Sequence, residues 1–274
     1  MNYTKMHGAG NGFVLLDNTS SDLSEDACRA LAVKLCAYES LDGLIAIVPA
    51  SDADIGMLFI NSDGSVGEMC GNGARCLAKY AVEHGLASDP ENIRIKTDAG
   101  LVTAKRISGE VYEVRLNDPS VLDPHRHVLL GGQDCDCFYV ELGDPGIPHA
   151  VVFTETDPHL CTDALRETGR ALRHAAEFPR GANVSFVQKT GPDSAKAVTY
   201  GRGVEDFTLA CGTGCGAIAC AFAVLSAASP SRITIGMPGG MLQVSLINEN
   251  GNIRDIRLTG PAVTLGEGET ASIS

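Results

Sequence analysis

Two cysteines of this chain stand in the same short setting. Cys70-Gly71-Asn72-Gly73-Ala74 and Cys211-Gly212-Thr213-Gly214-Cys215 each read cysteine, glycine, a polar residue, glycine, then small or apolar residues, 211 − 70 = 141 positions apart. Each predicts a cysteine on a glycine turn that opens a helix. The first N–H groups of a helix have no intrahelical partner, and the helix dipole favours negative charge beside them. Such a turn aims donors at whatever lies next to the sulfur and lowers the pKa of a nearby thiol. A thiolate can remove a proton from carbon while a thiol on the opposite side returns one, and the centre inverts. The same N–H groups can hold a carboxylate and stabilise the charge that develops when the adjacent C–H is deprotonated. Acid and base need opposite protonation states, so such a pair titrates with joint apparent pKa values. Asn72 and Thr213 add further donors inside the two turns.

The surrounding chain repeats as well. Ile93-Arg94-Ile95 through Gly100-Leu101-Val102 recurs as Ile233-Thr234-Ile235 through Gly240-Met241-Leu242, at an offset of 140. Val114-Arg115-Leu116-Asn117-Asp118-Pro119-Ser120-Val121 recurs as Ile256-Arg257-Leu258-Thr259-Gly260-Pro261-Ala262-Val263, at an offset of 142. Three blocks in one order at nearly constant spacing predict a duplicated chain. With only two copies, the product is a pair of lobes rather than a solenoid. The site is then expected between the lobes, with one sulfur on each side.

Composition narrows the function classes. The chain has 274 residues, 44% hydrophobic and 20% charged, which suits a soluble protein with a substantial core. Net charge is −13 with no basic cluster, which argues against nucleic acid or an anionic membrane as partner. The N-terminus lacks an apolar signal core and no run approaches membrane-spanning length, so a cytoplasmic location is expected. Ten cysteines occur without a C-x-x-C pair, so zinc-ribbon and thioredoxin readings lack their spacing and no metal site is expected. A disulfide framework is equally unexpected without a secretory signal. Cys76, Cys215 and Cys220 fall within helix patterns and read as small buried hydrophobes. Cys70 and Cys211 do not.

The elements that must position these cysteines are legible in outline. Phe13–Asp17, 44–48 and 56–60 read as strands, the last ending at the turn Asn61-Ser62-Asp63-Gly64. A helix over 22–37 has Ser24 as a plausible N-cap, and the first cysteine helix spans about 73–84, stopping at Gly85. Alternating strands follow through Val121, and the polar, punctuated stretch 119–132 reads as the crossing between lobes. Strands at 139–142 and 150–153 flank a turn-rich stretch, 143–149. A helix over 162–176, strands at 184–187 and 197–200, and the second cysteine helix, Gly214 to Ala227, complete the second lobe. The expected domains are 1–122, on which a tail 264–274 packs back, and 123–263.

At the cysteine motifs the sequence resembles the diaminopimelate epimerase family, pyridoxal-phosphate-independent amino-acid epimerases. Matching stretches are Met6-His7-Gly8-Ala9-Gly10-Asn11-Gly12-Phe13, Asn61-Ser62-Asp63-Gly64-Ser65, Glu68-Met69-Cys70-Gly71-Asn72-Gly73-Ala74-Arg75-Cys76 and Pro148-His149-Ala150. The match continues at Arg180-Gly181-Ala182-Asn183-Val184, Arg202-Gly203-Val204-Glu205-Asp206 and Ala210-Cys211-Gly212-Thr213-Gly214. The resemblance implies an α/β fold of two pseudo-symmetric lobes, each a β-barrel-like sheet around a central helix. It implies no cofactor and a small-molecule amino acid as partner; a homodimer is left open. Cys70 and Cys211 match the catalytic acid and base, which in the family can join when the site is empty. Gly71, Asn72, Gly212 and Thr213 match the turns holding the reacting carboxylate. Asn11, Asn61, Asn183 and Arg202 match pocket residues, with Arg202 on the distal carboxylate, and His149 matches a histidine beside one cysteine.

The departures lie at the distal end of the site. Gly201 stands where the family has a glutamate for the distal ammonium, and Ile147 replaces a polar residue before Pro148-His149. Cys36 to Gly43 replaces a Gly-Ile-Gly turn before Asp, and Gly12 and Phe207 replace acidic residues. A site that loses the partner of a charged group loses much of its preference for that group. The reading is therefore a two-cysteine amino-acid racemase with another substrate, histidine being one option. The alternative is a true diaminopimelate epimerase, converting the LL form to the meso form. A non-racemising isomerase on the same fold, resembling the phenazine-biosynthesis isomerases, is a further reading that both cysteines oppose. A thiol-based metal or redox module is the non-enzymatic one.

Overall fold

The computed structural model describes residues 1–226 and 229–270, and the chain divides into two compact units. One comprises Met1–Arg115 together with the segment from Thr259 onward; the other is Leu116–Leu258.

The first unit contains β1 (Asn2–Gly8), β2 (Asn11–Asp17), α1 (Glu25–Glu39), β3 (Gly43–Val48), β4 (Ile55–Asn61), β5 (Val66–Gly67), α2 (Gly71–Glu83), β6 (Ile93–Thr97), β7 (Gly100–Ser108) and β8 (Val111–Arg115). The second contains β9 (Pro119–Leu130), β10 (Gln133–Gly143), β11 (Gly146–Phe153), a 3₁₀ turn Pro158–Leu160, α3 (Thr162–Arg173), β12 (Asn183–Gly191), β13 (Ser194–Tyr200), β14 (Phe207–Thr208), α4 (Gly212–Leu225), β15 (Arg232–Met237) and β16 (Gly240–Glu249). β17 (Asn252–Pro261) carries the chain back across Leu258, and β18 (Val263–Glu269) belongs to the first unit.

The strand pairings repeat step for step. In the first unit β1 and β2 are antiparallel, β2 and β3 parallel, β3 and β4 antiparallel, β4 and β6 parallel, β6 and β7 antiparallel. In the second, β10 and β11 are antiparallel, β11 and β12 parallel, β12 and β13 antiparallel, β13 and β15 parallel, β15 and β16 antiparallel. β18 flanks β1 as β9 flanks β10, again antiparallel. A parallel pair cannot be closed by a hairpin and needs a crossover, which here is a helix each time. α1 and α3 serve the first crossover of each unit; the cysteine helices α2 and α4 serve the second.

The two helix types differ in composition because they differ in surroundings. α1 turns one stripe inward, Cys28, Ala32, Leu35 and Cys36, and its N-cap Ser24 accepts from the Ala27 N–H. α2 is buried from Gly71 to Ala81 and packs on strands β1 to β4 and β6 to β8. α4 packs on β9 to β12, β15 and β16 of its own unit. A helix enclosed by strands needs small side chains. At Gly216 a Cβ would stand 2.9 Å from Leu116 Cδ1 and 3.1 Å from Leu142 Cδ1.

Three expectations are corrected. The stretch 119–132, read as a crossing between lobes, forms strand β9, and its polar residues pair across to β10: His125 with Asp136, His127 with Asp134. Cross-strand hydrogen bonds satisfy these side chains at the surface, so polarity did not mark a linker. The turn in 143–149 is confined to Asp144 and Pro145, and His149 lies inside β11. α1 runs to Glu39, where Ser40 ends it in the left-handed region (φ 57°). The expected end of the second cysteine helix, Ala227, lies outside the described residues.

Candidate active site

Both cysteines are N-caps, with nearly the same geometry. Cys70 is extended (φ −131°, ψ 114°) and its Sγ accepts from the Gly73 N–H at 3.4 Å. Cys211 is extended (φ −128°, ψ 108°) and its Sγ accepts from the Gly214 N–H at 3.3 Å. Each sulfur takes the place that a serine or aspartate oxygen usually occupies at a helix start. The helices begin at Gly71 and Gly212, two residues earlier than the expected starts at Gly73 and Gly214. None of these four glycines has positive φ. Gly73 and Gly214 are needed for room: a Cβ on Gly214 would lie 3.1 Å from Cys211 Sγ and 3.1 Å from Thr199 Oγ1, and one on Gly73 would lie 2.8 Å from Ile45 Cδ1.

Around Cys70 the structure brings together Asn11 and Asn72. Asn72 Nδ2 donates to Asn11 Oδ1 at 3.2 Å, and that oxygen lies 3.9 Å from Cys70 Sγ. Asn11 Nδ2 donates to Asp42 Oδ2, and the fully buried Arg75 donates from Nη2 to Asn72 Oδ1. Asn61 serves its own hairpin, donating to the Ser65 carbonyl and hydroxyl.

Around Cys211, Thr213 Oγ1 lies 3.7 Å from the sulfur. Burial pushes the Cys211 thiol up, while the Gly214 N–H and the Thr213 hydroxyl and N–H pull it down. Asn183, which begins β12, donates to the Pro148 carbonyl and accepts from the Arg202 N–H at 2.9 Å. Arg202 Nη1 donates to the Arg180 carbonyl. His149 lies in register beside Asn183 on the neighbouring strand. It is wholly buried, and neither ring nitrogen has a hydrogen-bond partner among the described residues. Burial, then the Arg202 charge, push its pKa down to about 3. Its imidazole is therefore neutral in physiological buffer, and no hydrogen bond joins it to Cys211.

Four other thiols are pushed further. Burial pushes Cys36, Cys76, Cys137 and Cys220 up to about 12, which makes them inert packing groups. Sequence reasoning missed three partners of the cysteine turns: Arg75, Asp42 and the buried hydroxyl pair Thr199–Ser185, whose oxygens are 2.9 Å apart. Arg75 carried a signal, as a charged residue directly after the small run Gly73-Ala74 at the helix start. Thr199 carried none, since its place under Gly214 is set by the register of β13. At Gly201 the chain closes into a tight loop, with the Gly201 N–H on the Asp206 carbonyl and the Glu205 N–H on the Gly201 carbonyl. Among the described residues no cluster of three metal-ligating side chains occurs, and no helix is long and apolar enough to cross a membrane.

The fold is shared with proteins of distant sequence. A Bacillus anthracis phenazine biosynthesis protein of the PhzF family superposes with a TM-score of 0.75 at 15% identity, covering 98% of both chains. A probable proline racemase from Agrobacterium radiobacter K84 superposes with a TM-score of 0.73 at 16% identity, covering 98% of this chain and 92% of the other. Sequence narrows the class further. The chain belongs to the diaminopimelate epimerase family, whose model matches residues 3–117 and 142–265. Diaminopimelate epimerase of Methanocella arvoryzae is 33% identical over 97% of this chain and 95% of its own length. The protein is thus an isomerase of the racemase and epimerase kind.

Proposed function

We propose that this protein epimerises diaminopimelate at one α-carbon by two-base proton transfer between Cys70 and Cys211, without pyridoxal phosphate. The observation that supports the substrate is the near full-length similarity to a curated diaminopimelate epimerase. The observation that supports the chemistry is the matched pair of cysteine N-caps. One sulfur, as thiolate, takes the α-proton; the other, as thiol, delivers a proton to the opposite face. The N–H groups of the turns Gly71-Asn72 and Gly212-Thr213 hold the α-carboxylate and stabilise the charge that moves onto it. Asn11, Asn61 and Asn183 line the pocket, Arg202 takes the distal carboxylate, and neutral His149 supports the Cys211 side.

A second reading, another amino acid such as histidine, has one observation in its favour. Gly201 offers no carboxylate for a distal ammonium, and a Cβ there would meet Val204 and Thr208 at 3.2 Å, so a side chain enters only if these two give by a few tenths of an ångström. Incubation in D₂O with separate amino acids distinguishes the readings. The proposal expects α-deuteration of diaminopimelate, lost in both Cys70→Ala and Cys211→Ala. Deuteration of histidine alone supports the second reading. Full activity in either alanine variant refutes the two-base mechanism.

A further inference from the structure

The polar groups beside Cys70 form a chain that can run in only one direction. At one end the buried Arg75 guanidinium has donors only, so Asn72 must turn its oxygen towards it (3.0 Å). Asn72 Nδ2 then faces Asn11 Oδ1 (3.2 Å). At the other end the Asp42 carboxylate only accepts, and Oδ2 receives both Asn11 Nδ2 and the Gly12 N–H, each at 2.7 Å. Asp42 is held in turn, its N–H on the Gly12 carbonyl and its carbonyl on the Ser62 N–H. Neither amide can flip without setting like against like at both ends. The result is a fixed acceptor, Asn11 Oδ1, 3.9 Å from Cys70 Sγ.

An acceptor beside a sulfur favours S–H over the thiolate. Both sulfurs accept from a helix N–H, that of Gly73 or Gly214; what differs is the further neighbour, an amide oxygen beside Cys70 and, beside Cys211, the Thr213 hydroxyl, which is able to donate and so works against the burial that raises that thiol. We propose that Asp42 and Arg75 are positioning residues that lock Asn11 Oδ1 against Cys70, so that in the resting enzyme Cys70 carries the proton and Cys211 is the base. This assignment of roles rests on the two-cysteine reading above. The ionisable groups on the elements forming this corner include His7 on β1, Asp42 ahead of β3, Glu68 ahead of α2, and Arg75, Cys76 and Lys79 on α2. The Arg75 charge acts on Cys70 in the opposite sense to the carbonyl, so the decisive variants are at the exposed Asp42.

The test is the pH profile of iodoacetamide alkylation at each cysteine of the substrate-free full chain, read peptide by peptide with mass spectrometry. It is independent of turnover, so it can fail while the epimerase reading stands, and the reverse. In the wild type the Cys70 profile is expected to have the higher midpoint. D42N keeps an oxygen for two donors that converge on one atom, so it should leave Cys70 near its wild-type midpoint. D42A releases Asn11 and should raise the Cys70 thiolate fraction at neutral pH by about threefold, roughly one weak hydrogen bond. The Cys211 profile should stay in place in both. A wild-type Cys70 midpoint at or below that of Cys211 overturns the assignment. Equal shifts in D42N and D42A, or no shift in D42A, overturn the positioning role.

Discussion

Gly214→Ala adds one methyl where the structure leaves no room for it. The new Cβ would lie 3.1 Å from Cys211 Sγ, 3.1 Å from Thr199 Oγ1 and 3.2 Å from Cys211 Cβ. Comfortable non-bonded separations are about 3.5–4.0 Å, so three contacts are each short by several tenths of an ångström. Thr199 is buried and tied to Ser185, and cannot retreat; the sulfur is what moves. Overpacking of this kind costs about 1–3 kcal/mol, partly offset by the ~1 kcal/mol advantage of alanine over glycine in a helix. The stability change should therefore stay below about 2 kcal/mol. Displacement of a reacting atom is punished more severely, by up to about a hundredfold for 1 Å. The expectation is a loss of about ten- to a hundredfold in kcat with a modest drop in the urea midpoint. Gly73→Ala is the internal control. Its Cβ would press on Ile45 Cδ1 and Met57 Cε, the far ends of flexible side chains, and stand an ordinary 3.5 Å from Cys70 Cβ. It should cost less activity than Gly214→Ala. A Gly214→Ala enzyme within twofold of wild-type kcat would refute the argument that this glycine holds the sulfur in place.

Three further outcomes follow from the same groups. On the proposed two-cysteine mechanism, mild oxidation should inactivate the enzyme through a Cys70–Cys211 bridge and thiol reductants should restore it; inactivated protein with both thiols free in peptide mapping would count against that proposal. Gly201→Glu should raise kcat/KM for diaminopimelate relative to histidine by about ten- to a hundredfold, the equivalent of a charged hydrogen bond of about 1.5–3 kcal/mol, and an unchanged ratio would remove Gly201 as a specificity determinant. His149 stays neutral down to about pH 3, whereas in the unfolded chain it protonates near 6.5. As pH falls through that window the unfolded state binds the extra proton, so stability present above 6.5 is lost. Between pH 7 and 5, His149→Gln should lose about 2 kcal/mol less than wild type in urea titrations; parallel curves would show that the imidazole is not held neutral.

What the sequence made legible was the part governed by local rules. A cysteine before Gly-x-Gly and a run of small residues predicts a helix N-cap, and both caps are found with sulfur as the acceptor. The repeat frames mark equivalent strands, Ile93–Ile95 in β6 and Ile233–Ile235 in β15. The same frames held the answer to the misread stretch 119–132, because Pro119 aligned with Pro261 and both stand at the approach to a strand, β9 and β18. Polar residues such as Asp123, His125 and His127 obscured it, since pairing between strands is a long-range fact. Burial of His149 and the contacts of Thr199 depend on register between β11, β12 and β13, which no short window contains. The meeting of Asn11, Asp42 and Arg75 joins three segments far apart in the chain, and only the fold could assemble it.

The placement of β18 against β1 has a consequence for biosynthesis. The second unit is one uninterrupted stretch of chain, so all its strands are available as soon as they have left the ribosome. The first unit is begun earlier, yet β1 waits for its outer neighbour until β18 has been translated. During that interval the backbone groups along one side of β1 face solvent, a template for pairing with another nascent chain. Domains usually mature in the order in which they are synthesised. Here the half begun first is completed after the other, and a chain stopped before Val263 would keep both cysteines yet leave that edge open.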